Sequence, residues 1–116
     1  TVLPVTPTTL FTNSAATTTA TLVKNTAGTL WSIAVSNTNA AARFLKLFNL
    51  TTAPTVGTSV PVFTVAVPSG GTVLVNGGSN GIRFATGISL AITGAAGDLD
   101  TTAIGAGDVK VATTYT

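Results

Sequence analysis

Asp98, Asp100 and Thr102 alternate along the chain, and side-chain oxygens at every second residue are how a calcium-binding loop begins. That loop needs Gly at its sixth position for the sharp turn and a bidentate Glu at its twelfth. Counted from Asp98, those positions hold Ala103 and Val109. Carboxylates that cap backbone N–H groups of their own loop are the preferred explanation, and no metal is expected. Asp100-Thr101-Thr102 lacks the Gly of an aspartic-protease Asp-Thr-Gly, and no second copy completes a dyad. Ser and Lys occur without the spacing of a catalytic pair, and the chain has no His, no Glu and no Cys. The usual general bases, the commonest metal ligand, thiol chemistry and disulfides are therefore outside its reach. Gly70-Gly71 and Gly77-Gly78 neither open a helix nor precede a Lys as a phosphate cradle would, so they are turns. Asn49-Leu50-Thr51 fits a glycosylation acceptor, a match expected by chance in so Thr-rich a chain. The expectation is a protein without catalytic residues or cofactors, not an enzyme.

Composition narrows the class further. Charged residues make up 7% of the 116, against roughly a quarter in ordinary soluble domains. The polar surface must then be Thr, Ser, Asn and backbone, which costs little to desolvate against a partner. The net charge of +2 comes from scattered Lys24, Arg43, Lys46, Arg83 and Lys110 with no basic run, so nucleic acid is not an expected partner. The uncharged segment from Leu47 to Ile82 is broken by Pro54, Pro61, Pro68 and many Gly and Thr residues. It cannot supply the run of about 20 apolar residues that a membrane-spanning helix needs. No membrane partner and no targeting segment are expected, since the N-terminus has neither a basic start nor an apolar core.

The elements that must position any functional side chain are short strands. In Leu30-Trp31-Ser32-Ile33-Ala34-Val35, the residues Trp31, Ile33 and Val35 recur at every second position, as on one face of a strand. Asn37 to Ala41 supplies a turn, and Arg43 to Phe48 alternates again. Leu45 and Leu47 take one side of it, and Phe44, Lys46 and Phe48 the other. Further strands are expected at Thr21–Lys24, Val60–Val67, Thr72–Val75, Ile82–Phe84, Ile88–Ile92 and Val109–Tyr115, with a small-residue loop from Gly94 to Gly107. Pro61 suggests an edge position or a later strand start. Pro68-Ser69-Gly70-Gly71 reads as a hairpin turn joining the strands on either side of it. No 3.6-residue apolar period is present. The fold class is all-β, a two-sheet antiparallel sandwich of jelly-roll or immunoglobulin-like type, with the strand order open. Its body spans residues 20–116, preceded over residues 1–19 by an extended Thr/Pro-rich arm with two small anchors, Val2-Leu3 and Leu10-Phe11.

The candidate contact residues are Leu10, Phe11, Phe44, Lys46 and Phe48. The arm is either an untied tail or docks through Leu10 and Phe11 into a groove on this subunit or a neighbour. Its deletion is expected to leave the body folded and weaken attachment. An unpaired Lys46 is costly to bury, so the Phe44/Phe48 face is expected outward and covered by the arm or another molecule. The other possibility is a core face with Lys46 at its rim. Trp31 is expected in the core; exposed, it or Tyr115 would offer a sugar-stacking platform.

Several blocks together resemble small structural proteins of tailed bacteriophages that decorate heads or contribute to fibres. They are Gly28-Thr29-Leu30-Trp31-Ser32-Ile33 with Asn37, Ala42-Arg43-Phe44-Leu45-Lys46-Leu47-Phe48-Asn49, and Ala53-Pro54-Thr55-Val56-Gly57-Thr58. Val67-Pro68-Ser69-Gly70-Gly71, Gly81-Ile82-Arg83-Phe84-Ala85-Thr86-Gly87-Ile88 and Asp98-Leu99-Asp100-Thr101-Thr102-Ala103 follow. The likeness covers Ala20 to the C-terminus and leaves the arm unmatched. It implies a non-enzymatic virion protein on the capsid surface, reached from the host cytoplasm during assembly. A head cement protein of this kind bridges major capsid proteins and contacts copies of itself in a homo-oligomer, with a trimer expected. A tail, baseplate or fibre component is the alternative within the virion, and a carbohydrate-binding module the alternative outside it.

Overall fold

The computed structural model describes residues 6–116, so the Val2-Leu3 anchor lies outside the described residues. The described chain is all-β: β1 Thr8–Asn13, β2 Thr21–Lys24, β3 Gly28–Asn37, β4 Arg43–Phe48, β5 Phe63–Val67, β6 Thr72–Asn76, β7 Ile82–Phe84, β8 Ile88–Thr93 and β9 Val109–Tyr115. One sheet runs β1-β9-β3-β6, with β7 also paired to β3, and the other runs β2-β8-β4-β5. Every pairing is antiparallel.

The pairs β1/β9, β2/β8, β3/β6 and β4/β5 are nested like the rungs of one long folded ribbon. Rolling that ribbon places successive rungs alternately in the two sheets, and the contacts β3/β9 and β4/β8 then complete each sheet. This is a jelly roll rather than an immunoglobulin-like sandwich. β3 and β4 are consequently not a hairpin: the turn from Asn37 to Ala41 carries the chain from one sheet to the other. Pro68-Ser69-Gly70-Gly71 does the same between β5 and β6, so it is not the hairpin turn expected of it.

Asn37 makes both crossings possible. It is 1% exposed, and its Nδ2 donates to Ala41 O at 2.9 Å and Val67 O at 3.2 Å, while Oδ1 accepts from Asn39 N at 2.9 Å. One buried side chain thus satisfies backbone groups of both inter-sheet turns, which would otherwise be desolvated without partners.

The core lies between the sheets. Leu30, Ile33, Val35, Val109 and Val111 from the first sheet meet Leu45, Leu47, Val65, Val67, Leu90 and Ile92 from the second. Alternation explains most of this, with one interruption in β3. Its register with β9 shifts between Leu30 and Ser32, leaving Trp31 as the extra residue of a bulge. Leu30 therefore takes the inner place expected for Trp31, which is half-buried. β5 starts at Phe63, after Pro61, although Val62 N already donates to Leu47 O. Gly87 sits where backbone segments close in, and a Cβ there would fall 2.2 Å from Leu50 O.

Residues 8–19 belong to the body. β1 pairs with β9 over its whole length, from Thr8↔Tyr115 to Asn13↔Lys110. Ser14, 4% exposed, then donates through Oγ to Gly105 O and accepts from Val109 N, while its own N–H donates to Val109 O. Thr17 O and Thr18 O accept from Ile104 N and Ile92 N. The Thr-rich stretch had no apolar signal because backbone and hydroxyl groups, not side-chain burial, hold it.

Candidate functional site

The five candidate residues fall in two places. Three of them lie on β4, in the second sheet, where Lys46 stands opposite Ala91 and Thr64, Phe44 opposite Thr93 and Ala66, and Phe48 opposite Ser89. Leu45 and Leu47 face the core as expected, but the other side of β4 is not an outer surface. Lys46 and Phe48 are each 1% exposed, and Phe44 is half-buried. Over Lys46 the cover is the Gly94–Gly107 loop. Lys46 Nζ donates to Gly97 O. The loop is braced in turn against the residues before β5, since a Cβ on Gly57 would lie 2.8 Å from Thr101 Cγ2. The expectation of an outward Lys46 failed because it weighed burial without a partner, and a carbonyl of a distant loop provides one. Neither Phe48 nor Lys46 is available as a contact residue.

The same loop explains the alternating oxygens. Asp100 Oδ1 accepts from Thr102 Oγ1 at 2.9 Å, and Oδ2 accepts from Thr102 N at 3.0 Å and Ala95 N at 3.3 Å. These are the local caps expected for it. Desolvation pushes the Asp100 carboxyl upward, but the Thr102 and Ala95 hydrogen bonds and the Lys46 charge outweigh it, leaving the group below the ordinary aspartate value of 3.8. Because the folded value is depressed, the stabilisation is present above the ordinary value and is lost as pH falls through the folded one. Protection of the Thr102 and Ala95 amides, measured by NMR hydrogen exchange, is therefore expected to persist at the ordinary aspartate value and to be lost only at lower pH, as the folded carboxyl protonates, while β3 and β9 stay protected. Loop protection left unchanged by Asp100→Ala would show that Asp100 does not hold the loop. Asp108 is also a brace, accepting from Gly105 N at 2.9 Å and Asn39 Nδ2 at 3.0 Å, with Arg43 Nη2 3.6 Å away.

The other two candidates lie on β1, and the pleat separates them. Leu10 packs against the core, while Phe11 is 79% exposed on the outer face of the first sheet. Phe11 pairs with Ala112, Ala112 with Ala34, and Ala34 with Leu74, which is 70% exposed. Four strands thus carry one continuous apolar rung, roughly 14 Å from edge to edge at the usual strand spacing. The rungs on either side are polar: Thr9, Thr114, Ser32 and Asn76, then Asn13, Lys110, Ser36 and Thr72. Beside Phe11, the two alanines and the polar rung of Asn13, Lys110, Ser36 and Thr72 border a shallow groove of about 370 Å³. Leu74 was overlooked as a contact residue, although Thr72-Val73-Leu74-Val75-Asn76 sorts it with two polar residues and hence outward.

Trp31 is not an open platform: it is half-buried, Gly81 approaches its ring, and its Nε1 donates to Thr116 Oγ1 at 3.1 Å, while Tyr115 is half-buried against the core. Val60, Val62 and Leu99 are further exposed apolar residues, on the loops before β5 and after β8. No family model, curated protein or solved structure matches this chain in comparison with it.

Proposed function

We propose that the chain is a non-enzymatic structural protein of a tailed-phage virion, a capsid decoration (cement) protein bridging major capsid proteins. The observation that carries this is the exposed Phe11–Ala112–Ala34–Leu74 rung on a face otherwise lined by Thr, Ser, Asn and the single charge of Lys110. Such a face loses little hydration when it is covered, and exposed apolar patches mark interaction sites. On a capsid its contribution is mechanical: area buried across a junction between neighbouring capsid proteins adds to the lattice's resistance to the pressure of packaged DNA. The jelly roll is a fold used by viral structural proteins and also by lectins, so at the level of fold alone it supports both by analogy. The partial burial of Trp31, with Gly81 so close that a Cβ there would fall 3.1 Å from Trp31 Cε3, weighs against the lectin, which needs an unobstructed aromatic ring.

Electron cryomicroscopy of purified particles tests the proposal. The expected result is density for this jelly roll at junctions of the head lattice, with the first sheet's outer face against the capsid. Density confined to the tail would transfer the protein to a tail, baseplate or fibre role. Its absence from the particle would overturn the virion assignment and favour sugar binding.

A further inference from the structure

The two most exposed large apolar residues, Phe11 and Leu74, stand on the two opposite edge strands of one sheet and on the same rung. From these positions we infer that β1 of one copy pairs with β6 of the next, joining copies side by side into a closed ring.

Each edge is open. Among the described residues no strand pairs the outer side of β1 or of β6. Strand edges in natural proteins are blunted by charge, proline or a bulge. Thr-Thr-Leu-Phe-Thr-Asn and Thr-Val-Leu-Val-Asn contain no charge and no proline, and both pair in unbroken register with their inner neighbours. A neutral edge of this kind fits a neutral extended strand, and each of these two strands meets that need for the other.

Direction and register agree. Across three antiparallel steps from β1 to β6, the two edges run oppositely, so a copy placed alongside presents β6 antiparallel to β1. Setting Phe11 opposite Leu74 of the next copy puts Thr9 opposite Asn76 and Asn13 opposite Thr72 on the outer face. On the inner face it puts Leu10 opposite Val75 and Thr12 opposite Val73. Leu10, Val73 and Val75 are among the half-buried residues at the margin of the core, and the contact would finish covering them. Hydrogen bonding is compatible too. Bonded and non-bonded pairs alternate across an antiparallel sheet, so residues of one rung at its two edges direct their backbone groups both outward or both inward.

The size of the contact weighs against an isolated pair. It joins one strand of six residues to one of five, whereas a stable two-body interface uses about 20–30 residues on each partner. A lone strand contact is therefore weak, and copies that make two of them gain persistence by multivalency. A ring gives one discrete species in sedimentation, and a distribution that keeps growing with concentration, as an open filament gives, would overturn closure. A two-fold pairing of β1 with β1 would leave β6 and Leu74 uncovered, so it accounts for half of the observations.

Nothing in this contact requires a particle, and it is tested on the free chain by sedimentation velocity, so its failure is distinct from failure of the capsid assignment. The full chain is expected to sediment as a species of three or more copies at high concentration. Phe11→Lys and Leu74→Lys, both at exposed positions, are each expected to run as monomers with unchanged circular dichroism. Mixed, they leave one free β6 and one free β1. Isotope-labelled Leu74→Lys should then show NMR shift changes along Thr9–Asn13 when Phe11→Lys is added, and none when unlabelled Leu74→Lys is added. A full chain that stays monomeric, either variant assembling alone, or a mixture without shifts would each overturn the inference.

Discussion

Deleting residues 1–19 is expected to destroy the fold rather than to release a passive tail. The deletion removes the outermost rung of the rolled ribbon, β1, and exposes β9 as a new edge beside the core. It also removes the Ser14 bonds to Gly105 and Val109 and the carbonyls of Thr17 and Thr18 that receive Ile104 and Ile92. At about 1 kcal/mol for each buried hydrogen bond, with about 2 kcal/mol for covering Leu10, the loss is comparable with the 5–15 kcal/mol that holds a typical domain together. Urea unfolding followed by circular dichroism should show no cooperative transition for this variant. A cooperative transition at an unshifted midpoint would mean that β1 contributes nothing to the body, as the sequence alone suggested.

Lys46 is the second position where a large effect is expected. Replacing it by Ala removes a side chain 1% exposed and its bond to Gly97 O, leaving a cavity beneath the Gly94–Gly107 loop. The expected loss is about 3 kcal/mol, within the range for large-to-small core substitutions. Lys46→Met keeps the length and apolar stem while removing a charge that is costly to desolvate, so its loss should stay within about 1 kcal/mol. Gly97 lies at the surface, where water can replace the lost donor. Chemical denaturation of both variants checks this. Equal destabilisation by Ala and Met would show that the bond to Gly97, and not the volume of the stem, is what holds the loop.

The two positions mark where local pattern stopped being informative. Alternation located β2, β4, β7 and β9 at their observed bounds and sorted Leu45 and Leu47 inward, because a two-residue period is a property of the strand itself. It also gave the two-sheet architecture, since many short strands with polar turns have few other ways to bury one face each. The caps around Asp100 were legible for the same reason: Asp and Thr two residues apart bond their own backbone without help from the rest of the chain.

By itself, then, the amino-acid sequence determined an all-β chain, the places of most strands, and a surface poor in charge. Only the tertiary structure decided which strands share a sheet, because the turns after Asn37 and Val67 look alike whether they close a hairpin or cross between sheets. It also decided that Lys46 is inside, since its partner Gly97 is 51 residues away. A single-residue bulge moved Trp31 off the inner face, which no period can foresee. The apolar rung that forms the candidate contact surface joins residues 11, 34, 74 and 112, assembled only by strand register, and each of those residues alone is an ordinary member of its own strand.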